Sequence, residues 1–141
     1  MKRKVVVQWL IKANDDLKTS EILLKSEDIP TGAVCFHAQQ AVEKFLKAYL
    51  TNIDVRTGKT HDIAKLLNMC IQHDKDFEKL NREKLEKLTF YAVEIRYPEE
   101  FYTPTTEEAK EAFELALTVK EFISKKLQID IKEYKSEDET P

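Results

Sequence analysis

The sequence predicts an all-α protein, an up-and-down helical bundle of four to five antiparallel helices. Only two glycines and four prolines occur among 141 residues, whereas sheet proteins use both residues in their turns. Hydrophobic residues make up 42 % of the chain, which is enough for the core of one domain, and they recur at helical spacing. The connections between the periodic segments are short, and short connections favour antiparallel neighbours.

The first periodic segment predicts a helix over about 4–26. Its apolar positions, among them Trp9, form one stripe, and charged positions such as Asp16 lie opposite. The segment stops before Ile29 and Pro30, because a proline disfavours helical geometry at the preceding residue.

The second segment predicts a helix over about 32–53. Its apolar face is unusually broad, so we expect contacts on two sides and a central position in the bundle. Glu43 and Lys47 are spaced as an i, i+4 ion pair. The stretch 57–59, Thr-Gly-Lys, then marks a loop.

The third helix is expected to begin near Thr60 as its N-cap, with Asp62 in its first turn, where a negative charge suits the helix dipole. The fourth is expected over about 81–96, because Pro98 disfavours helical geometry at the preceding residue.

The fifth helix has the clearest start signal. Thr105 and Glu108 form a capping box, and the apolar stripe that follows continues to about 127. We therefore predict a bundle over 1–127 and a charged, flexible C-terminal tail over 128–141.

Composition restricts the partners and the compartment. The net charge is −3, so no overall field of one sign attracts nucleic acid or a membrane surface. Cys35 and Cys70 both fall in apolar helical patterns, which is typical of reduced core thiols in a cytosolic protein. No apolar run of 18 residues occurs, and the basic, apolar N-terminus lacks a signal-peptide cleavage site. We expect a cytoplasmic protein without a membrane span.

Motifs for common cofactors are missing. The stretch 56–61, RTGKTH, contains Gly-Lys-Thr, but a phosphate loop needs a further glycine where Ile53 stands, and a strand before it. The three histidines, His37, His61 and His73, do not have metal-ligand spacing with each other or with the cysteines. The sequence predicts neither a metal nor a cofactor.

Two helix ends carry candidate binding residues. The pair His61 and Asp62 is interpreted either as a helix cap or as an imidazole that contacts phosphate or a partner. At the second end, Arg96 either packs into a corner or forks onto phosphate beside Tyr97 and Tyr102, which could stack a base.

Two lysines of the second helix complete the candidate set. Lys44 and Lys47 lie three residues apart on one face, where lysines usually form a solvated stripe. An antiparallel bundle could instead bring them near Arg96, as additional phosphate contacts.

Three stretches together resemble the HEPN domain family: CFHAQQAVEKFLKAYL at 35–50, THDIAKLL at 60–67 and YAVEIRYP at 91–98. The resemblance covers about 5–127. It implies a four- to five-helix bundle that forms a homodimer. It also implies a link to a minimal nucleotidyltransferase, often in a toxin–antitoxin pair, and nucleotide binding.

Many members of that family are metal-independent ribonucleases, whose signature is an Arg followed after four to six residues by a His. No histidine follows Arg96 up to Thr103, so the usual proton shuttle is missing. Arg56 and His61 match the spacing, but they lie in the loop before the third helix, and we interpret this match as chance. The sequence thus favours a non-catalytic binding module. The alternatives are a ribonuclease toxin and a ligand-free helical scaffold.

Overall fold

The computed structural model describes residues 2–94 and 102–130, and all regular structure in these two ranges is helical. The all-α prediction is confirmed. The five α-helices are α1 (Lys2–Leu24), α2 (Thr31–Asn52), α3 (Ile63–His73), α4 (Arg82–Glu94) and α5 (Thr106–Leu127). A short 3₁₀ helix, Lys75–Lys79, links α3 to α4. Where both ends are described, the predicted bounds of α1, α2 and α5 agree to within two residues.

Helix α2 is central, as its broad apolar face predicts: it packs against α1, α3, α4 and α5. Cross-contacts show that α1 and α2 are antiparallel, because Lys2 pairs with Asp54 near one end, and the Ser20 hydroxyl donates to the Val34 carbonyl near the other. From Ala41 to Leu50 every side chain except Lys44 is buried. A helix covered on so many sides must also bury some of its polar residues.

The start of α3 differs from the prediction. Asp62, and not Thr60, is the N-cap: its carboxylate accepts from the amides of Ala64 and Lys65. The Thr60 hydroxyl accepts from the Asp62 amide one turn earlier. Both residue types cap helices, and the choice depends on which side chain lies within reach of the free amides.

The start of α5 confirms the predicted capping box. The Thr105 hydroxyl accepts from the Glu108 amide at 3.0 Å, and the Glu108 carboxylate accepts from the Thr105 amide at 2.9 Å. After α5 the chain turns at Gln128, and Ile129 is buried against the core. The predicted tail from 131 onward lies outside the described residues.

The sequence pattern does not predict the 3₁₀ helix. Its Phe77 is fully buried and lies 4.6 Å from the ring of Tyr49 and 4.9 Å from the ring of Phe122, so it joins α2 to α5. Lys126 of α5 clamps this segment, with Nζ at 2.6 Å from carboxylate oxygens of both Asp74 and Asp76. Five residues are too few for a periodic signal; the spacing of Phe77 and Leu80 was the only hint.

Both cysteines are free and fully buried, which confirms the prediction of core thiols. Burial raises the pKa of Cys35 and of Cys70 to about 12. Among the described helices, none combines the length and the apolar character needed to cross a bilayer.

Replacing Phe77 by Ala should lower the free energy of unfolding by about 3–5 kcal/mol, because it removes a buried ring between two helices. Phe90→Ala is the matched control: that ring is 44 % exposed, and its loss should cost about 1 kcal/mol or less. Urea unfolding of the two variants provides the measurement, and equal losses would contradict the packing described.

The two thiols should be almost inert towards Ellman's reagent in the folded protein, because burial excludes the reagent and disfavours the thiolate. Both should react within seconds once the chain is unfolded in urea. Rapid labelling of either thiol without denaturant would show that the core opens at that position.

Candidate functional site

Three of the seven candidate residues fall into two clusters, two others (Lys44 and Asp62) lie apart from both, and two are outside the described ranges. Lys47 and His61 lie around Glu43 of α2, and we call Gln39, Glu43, Lys47 and His61 the Glu43 cluster. Tyr102 belongs to the Glu108 cluster, which comprises Lys87, Tyr91, Tyr102, Thr105 and Glu108. Arg96 and Tyr97 lie outside the described residues.

The Glu43 cluster contains an ion pair inside the protein. The Lys47 ammonium donates to Glu43 Oε2 at 3.0 Å, and the two side chains are 5 % and 3 % exposed. The predicted i, i+4 pair is therefore confirmed, but the interpretation of Lys47 as part of a solvated stripe is wrong. Trp9 of α1 covers the ammonium, with its ring centroid 5.4 Å from Nζ. Burial of two charges requires such partners, because each ion has lost its water.

His61 reaches the same carboxylate from the loop before α3. Its Nδ1 lies 3.1 Å from both oxygens of Glu43, while 74 % of its side chain is exposed. Since a carboxylate that pairs with Lys47 accepts hydrogen bonds, Nδ1 is the protonated nitrogen that donates. In the neutral ring, Nε2 then carries the free lone pair and faces away from Glu43.

Gln39 completes the cluster from one turn earlier on α2. Its amide nitrogen donates to Glu43 Oε1 at 3.3 Å and to the backbone carbonyl of His61 at 3.4 Å. Gln40 donates in turn to Gln39 Oε1 at 2.8 Å. Across the part of the chain that the structure describes, no buried side-chain nitrogen or oxygen lacks a partner.

Lys44 faces a different carboxylate. Its ammonium donates to Asp16 of α1, which also lies 2.9 Å from His37 Nδ1. Asp16 is 14 % exposed and Lys44 21 % exposed, so neither is fully solvated. The prediction that Asp16 lies opposite the packed face of α1 is wrong, because α2 covers this side of α1. For the same reason, the interpretation of Lys44 as part of a solvated stripe is wrong.

Asp62 acts as the helix cap, and the cap leaves little room for an anion at the start of α3. The amides of Ala64 and Lys65 are taken by Asp62, and the amide of Ile63 donates to the Thr89 hydroxyl at 3.4 Å. Free amides are what make a helix N-terminus an anion site. Asp62 also carries a negative charge, so of the pair His61 and Asp62 only the imidazole suits an anionic ligand.

In the Glu108 cluster, one carboxylate joins α4 to the start of α5. It accepts from the hydroxyls of Tyr91 at 2.8 Å and Tyr102 at 2.6 Å, in addition to the Thr105 amide. Lys87 lies 3.5 Å away. These hydrogen bonds lower the pKa of Glu108 to about 2, and the bond from the Thr105 amide makes the largest contribution.

The two tyrosines of this cluster stack, with ring centroids 6.4 Å apart and planes 10° from parallel. Burial raises the pKa of Tyr91, and the hydrogen bond to Glu108 raises that of Tyr102. Tyr102 is 39 % exposed, and Phe90 beside it is 44 % exposed. The result is an aromatic surface next to the partly exposed ammonium of Lys87.

Two further features bear on binding. Within residues 2–94 and 102–130, no group of three or more His, Cys, Asp or Glu side chains could hold a metal ion. An open cleft of about 600 Å³ lies between α1 and the loop after α2, where Lys2, Arg56 and Gly58 line it.

Glu43 and Glu108, the centres of both clusters, were not singled out as site residues from the sequence. A signal for the first exists: Gln39, Glu43 and Lys47 repeat every four residues within a helix that is apolar on its other faces. Glu108 was recognised only as a cap. Its tyrosine partners come from α4 and from the segment before α5, so helix periodicity does not reveal them.

A comparison with known families gives one result. A family model described as the HEPN domain matches residues 6–127. No curated protein and no solved structure matches the chain.

Breaking the buried ion pair should be costly. Lys47→Met leaves Glu43 buried without its cation and should lower the free energy of unfolding by about 3–5 kcal/mol. The double variant Glu43→Leu, Lys47→Met should regain most of this loss. Lys79→Met, which removes an exposed pair with Asp76, is the control and should change stability by about 1 kcal/mol or less. A double variant that is no more stable than the single one would contradict this account.

Glu108 should make stability depend on acid pH. Its lowered pKa stabilises the folded state above the unfolded value of 4.5, and this contribution is lost as the pH falls towards about 2. Glu108→Gln keeps a capping-box residue but removes the charge, so it should lose about 1–3 kcal/mol at about pH 7 and much less at about pH 2.5. The urea unfolding midpoints of the variant and the unmodified protein at the two pH values test this prediction. A loss of stability that does not depend on pH would exclude the role of the Glu108 charge.

Proposed function

This chain belongs to the HEPN domain family, and we propose that it is a non-catalytic helical binding module. In this proposal it forms a homodimer, binds nucleotide or RNA phosphate, and partners a minimal nucleotidyltransferase in a toxin–antitoxin-like pair. The observation that carries the binding role is the exposed aromatic surface of Phe90 and Tyr102, with Lys87 beside it.

The chemistry of this surface suits a nucleotide. Exposed aromatic faces stack bases with little preference for sequence, and a neighbouring ammonium attracts phosphate. Tyr102 uses its hydroxyl on Glu108, which fixes the ring while a part of it stays exposed. Arg96 and Tyr97 come shortly after Glu94, the last described residue of α4, in the sequence. The proposal gives Arg96 the phosphate and Tyr97 a second stacking face, because a guanidinium forks onto phosphate oxygens.

Titration calorimetry with nucleoside triphosphates and a short single-stranded RNA tests the binding role. We expect Tyr102→Ala to weaken binding by about tenfold or more, since one stacked base contributes about 1–3 kcal/mol. Tyr102→Phe keeps the ring and should bind almost as the unmodified protein does. Ile22→Ala, an exposed apolar residue of α1, is the control and should have no effect.

Absence of heat with every nucleotide and with RNA would exclude the binding role and favour the ligand-free scaffold. An equal effect of Tyr102→Ala and Ile22→Ala would exclude this surface while leaving binding elsewhere.

The dimer and the partner are tested separately. Light scattering of the purified chain should give the mass of two copies. Co-expression with a nucleotidyltransferase encoded beside it should give a complex that survives gel filtration. A monomeric protein that does not bind the nucleotidyltransferase would contradict both the proposed dimer and the proposed partner.

A second candidate is a metal-independent ribonuclease toxin, and one observation favours it: the exposed imidazole of His61 is oriented by a buried carboxylate. Such a group can act as an acid–base catalyst. Purified protein should then cleave RNA in the presence of a chelator, and His61→Asn should abolish cleavage. RNA that stays intact excludes this candidate.

A further inference from the structure

We infer that His61 is a phosphoryl acceptor: its Nε2 takes a phosphoryl group from a donor of the phosphoric-anhydride or phosphoramidate class, and Glu43 is its positioning residue. The inference concerns a covalent modification site and does not depend on the binding role of the aromatic surface. Among the described residues, His61 is the one imidazole that is both largely exposed and held by a buried carboxylate.

The geometry is that of an oriented nucleophile. Both oxygens of Glu43 lie 3.1 Å from Nδ1, so the ring presents Nε2 away from the carboxylate and towards solvent. A nucleophile within hydrogen-bond reach of a group that is itself oriented by a third residue is the general signature of covalent catalysis and modification. Here the third residue is Lys47, whose ammonium holds the carboxylate.

The cluster is rigid because it is anchored from three elements. Glu43 and Lys47 are buried on α2, Trp9 of α1 covers the ammonium, and Gln39 ties the carboxylate to the His61 carbonyl. The imidazole therefore has a defined orientation although three quarters of it is exposed. An exposed side chain without such support would lose several rotamers on reacting.

The chemical step balances without a metal. The lone pair of Nε2 attacks phosphorus, an N–P bond forms, and the bond from phosphorus to the leaving group breaks. The leaving group departs with the electron pair, as ammonia from a phosphoramidate or as a nucleoside diphosphate from a nucleoside triphosphate. Positive charge develops on the ring while Nδ1 keeps its proton, and the Glu43 carboxylate stabilises that charge.

His73 and His37 each meet only one of the two conditions, an exposed ring and a carboxylate partner. They therefore serve as controls within the same molecule. His73, at the end of α3, is exposed, but no carboxylate partner of its ring occurs among the described residues. His37 has a carboxylate, Asp16 at 2.9 Å, but only 30 % of its side chain is exposed. Among the described histidines, only His61 combines a largely exposed ring with a buried carboxylate partner.

The experiment incubates the full chain with potassium phosphoramidate and follows phosphorylation at each histidine by peptide mass spectrometry and phosphorus NMR. We expect an acid-labile phosphoryl group to appear on His61 at least about tenfold faster than on His73 or His37. In urea the three rates should converge, because the advantage of His61 comes from the fold. His61→Asn should remove the fast phase and leave the two slow ones.

The role of Glu43 is tested by Glu43→Gln, which should slow labelling of His61 about tenfold or more and leave His73 unchanged. Because this variant buries Lys47 without its partner, Glu43→Gln with Lys47→Gln is the second variant, and circular dichroism checks that both are folded. A merely structural Glu43 would not change the ratio of the His61 and His73 rates. Labelling of His61 no faster than of His73, or an unchanged ratio in a folded Glu43 variant, overturns the inference.

Discussion

The buried ion pair between Glu43 and Lys47 is the constraint on which the arrangement of this protein depends. It lies inside α2, the helix that every other α-helix contacts. Two charges in that position would destabilise the bundle without partners, because desolvation of each ion costs several kcal/mol. The neighbouring elements therefore have to place Trp9 and His61 at this point, and α2 itself supplies Gln39. The register of α1 and the path of the loop before α3 are thereby tied to one carboxylate.

A second carboxylate has a similar role where α4 meets α5. Glu108 begins as a local capping residue, yet its remaining lone pairs accept from Tyr91 and Tyr102, which come from different parts of the chain. The tyrosine hydroxyls are thereby satisfied, and their rings form a stacked pair with an exposed edge. The same contacts that stabilise the corner create the aromatic surface to which we assign ligand binding.

The two clusters differ in what they leave open. At Glu108 the polar atoms are consumed and aromatic area is exposed, which suits reversible stacking. At Glu43 the apolar area is buried and one ring nitrogen of His61 is exposed, which suits bond formation. The binding surface and the acceptor site are therefore separate proposals for separate chemistry, and the failure of one leaves the other standing.

The prediction of the site was less complete than that of the fold, for a physical reason. The sequence correctly placed Lys44 and Lys47 on one face of a helix. It did not predict that Lys47 is buried and Lys44 partly buried, because burial depends on what packs against that face. The choice between Thr60 and Asp62 as cap failed for a related reason: both can cap, and only the path of the loop selects one. Phe77 lies in a segment too short to show a period.

The sequence by itself determined the five α-helices, the bounds of α1, α2 and α5, the central place of α2, the capping box and the family, since each rests on spacings within a few residues or on a continuous motif. Only the tertiary structure decided that Lys44 meets Asp16, that His61 meets Glu43, and which of these side chains stay in water. Hydrogen bonding and helix periodicity act over three or four residues, and the sequence shows them directly. The partner of a buried charge comes from a distant element, as Trp9 and His61 come to Glu43 and Lys47, and packing alone brings them together.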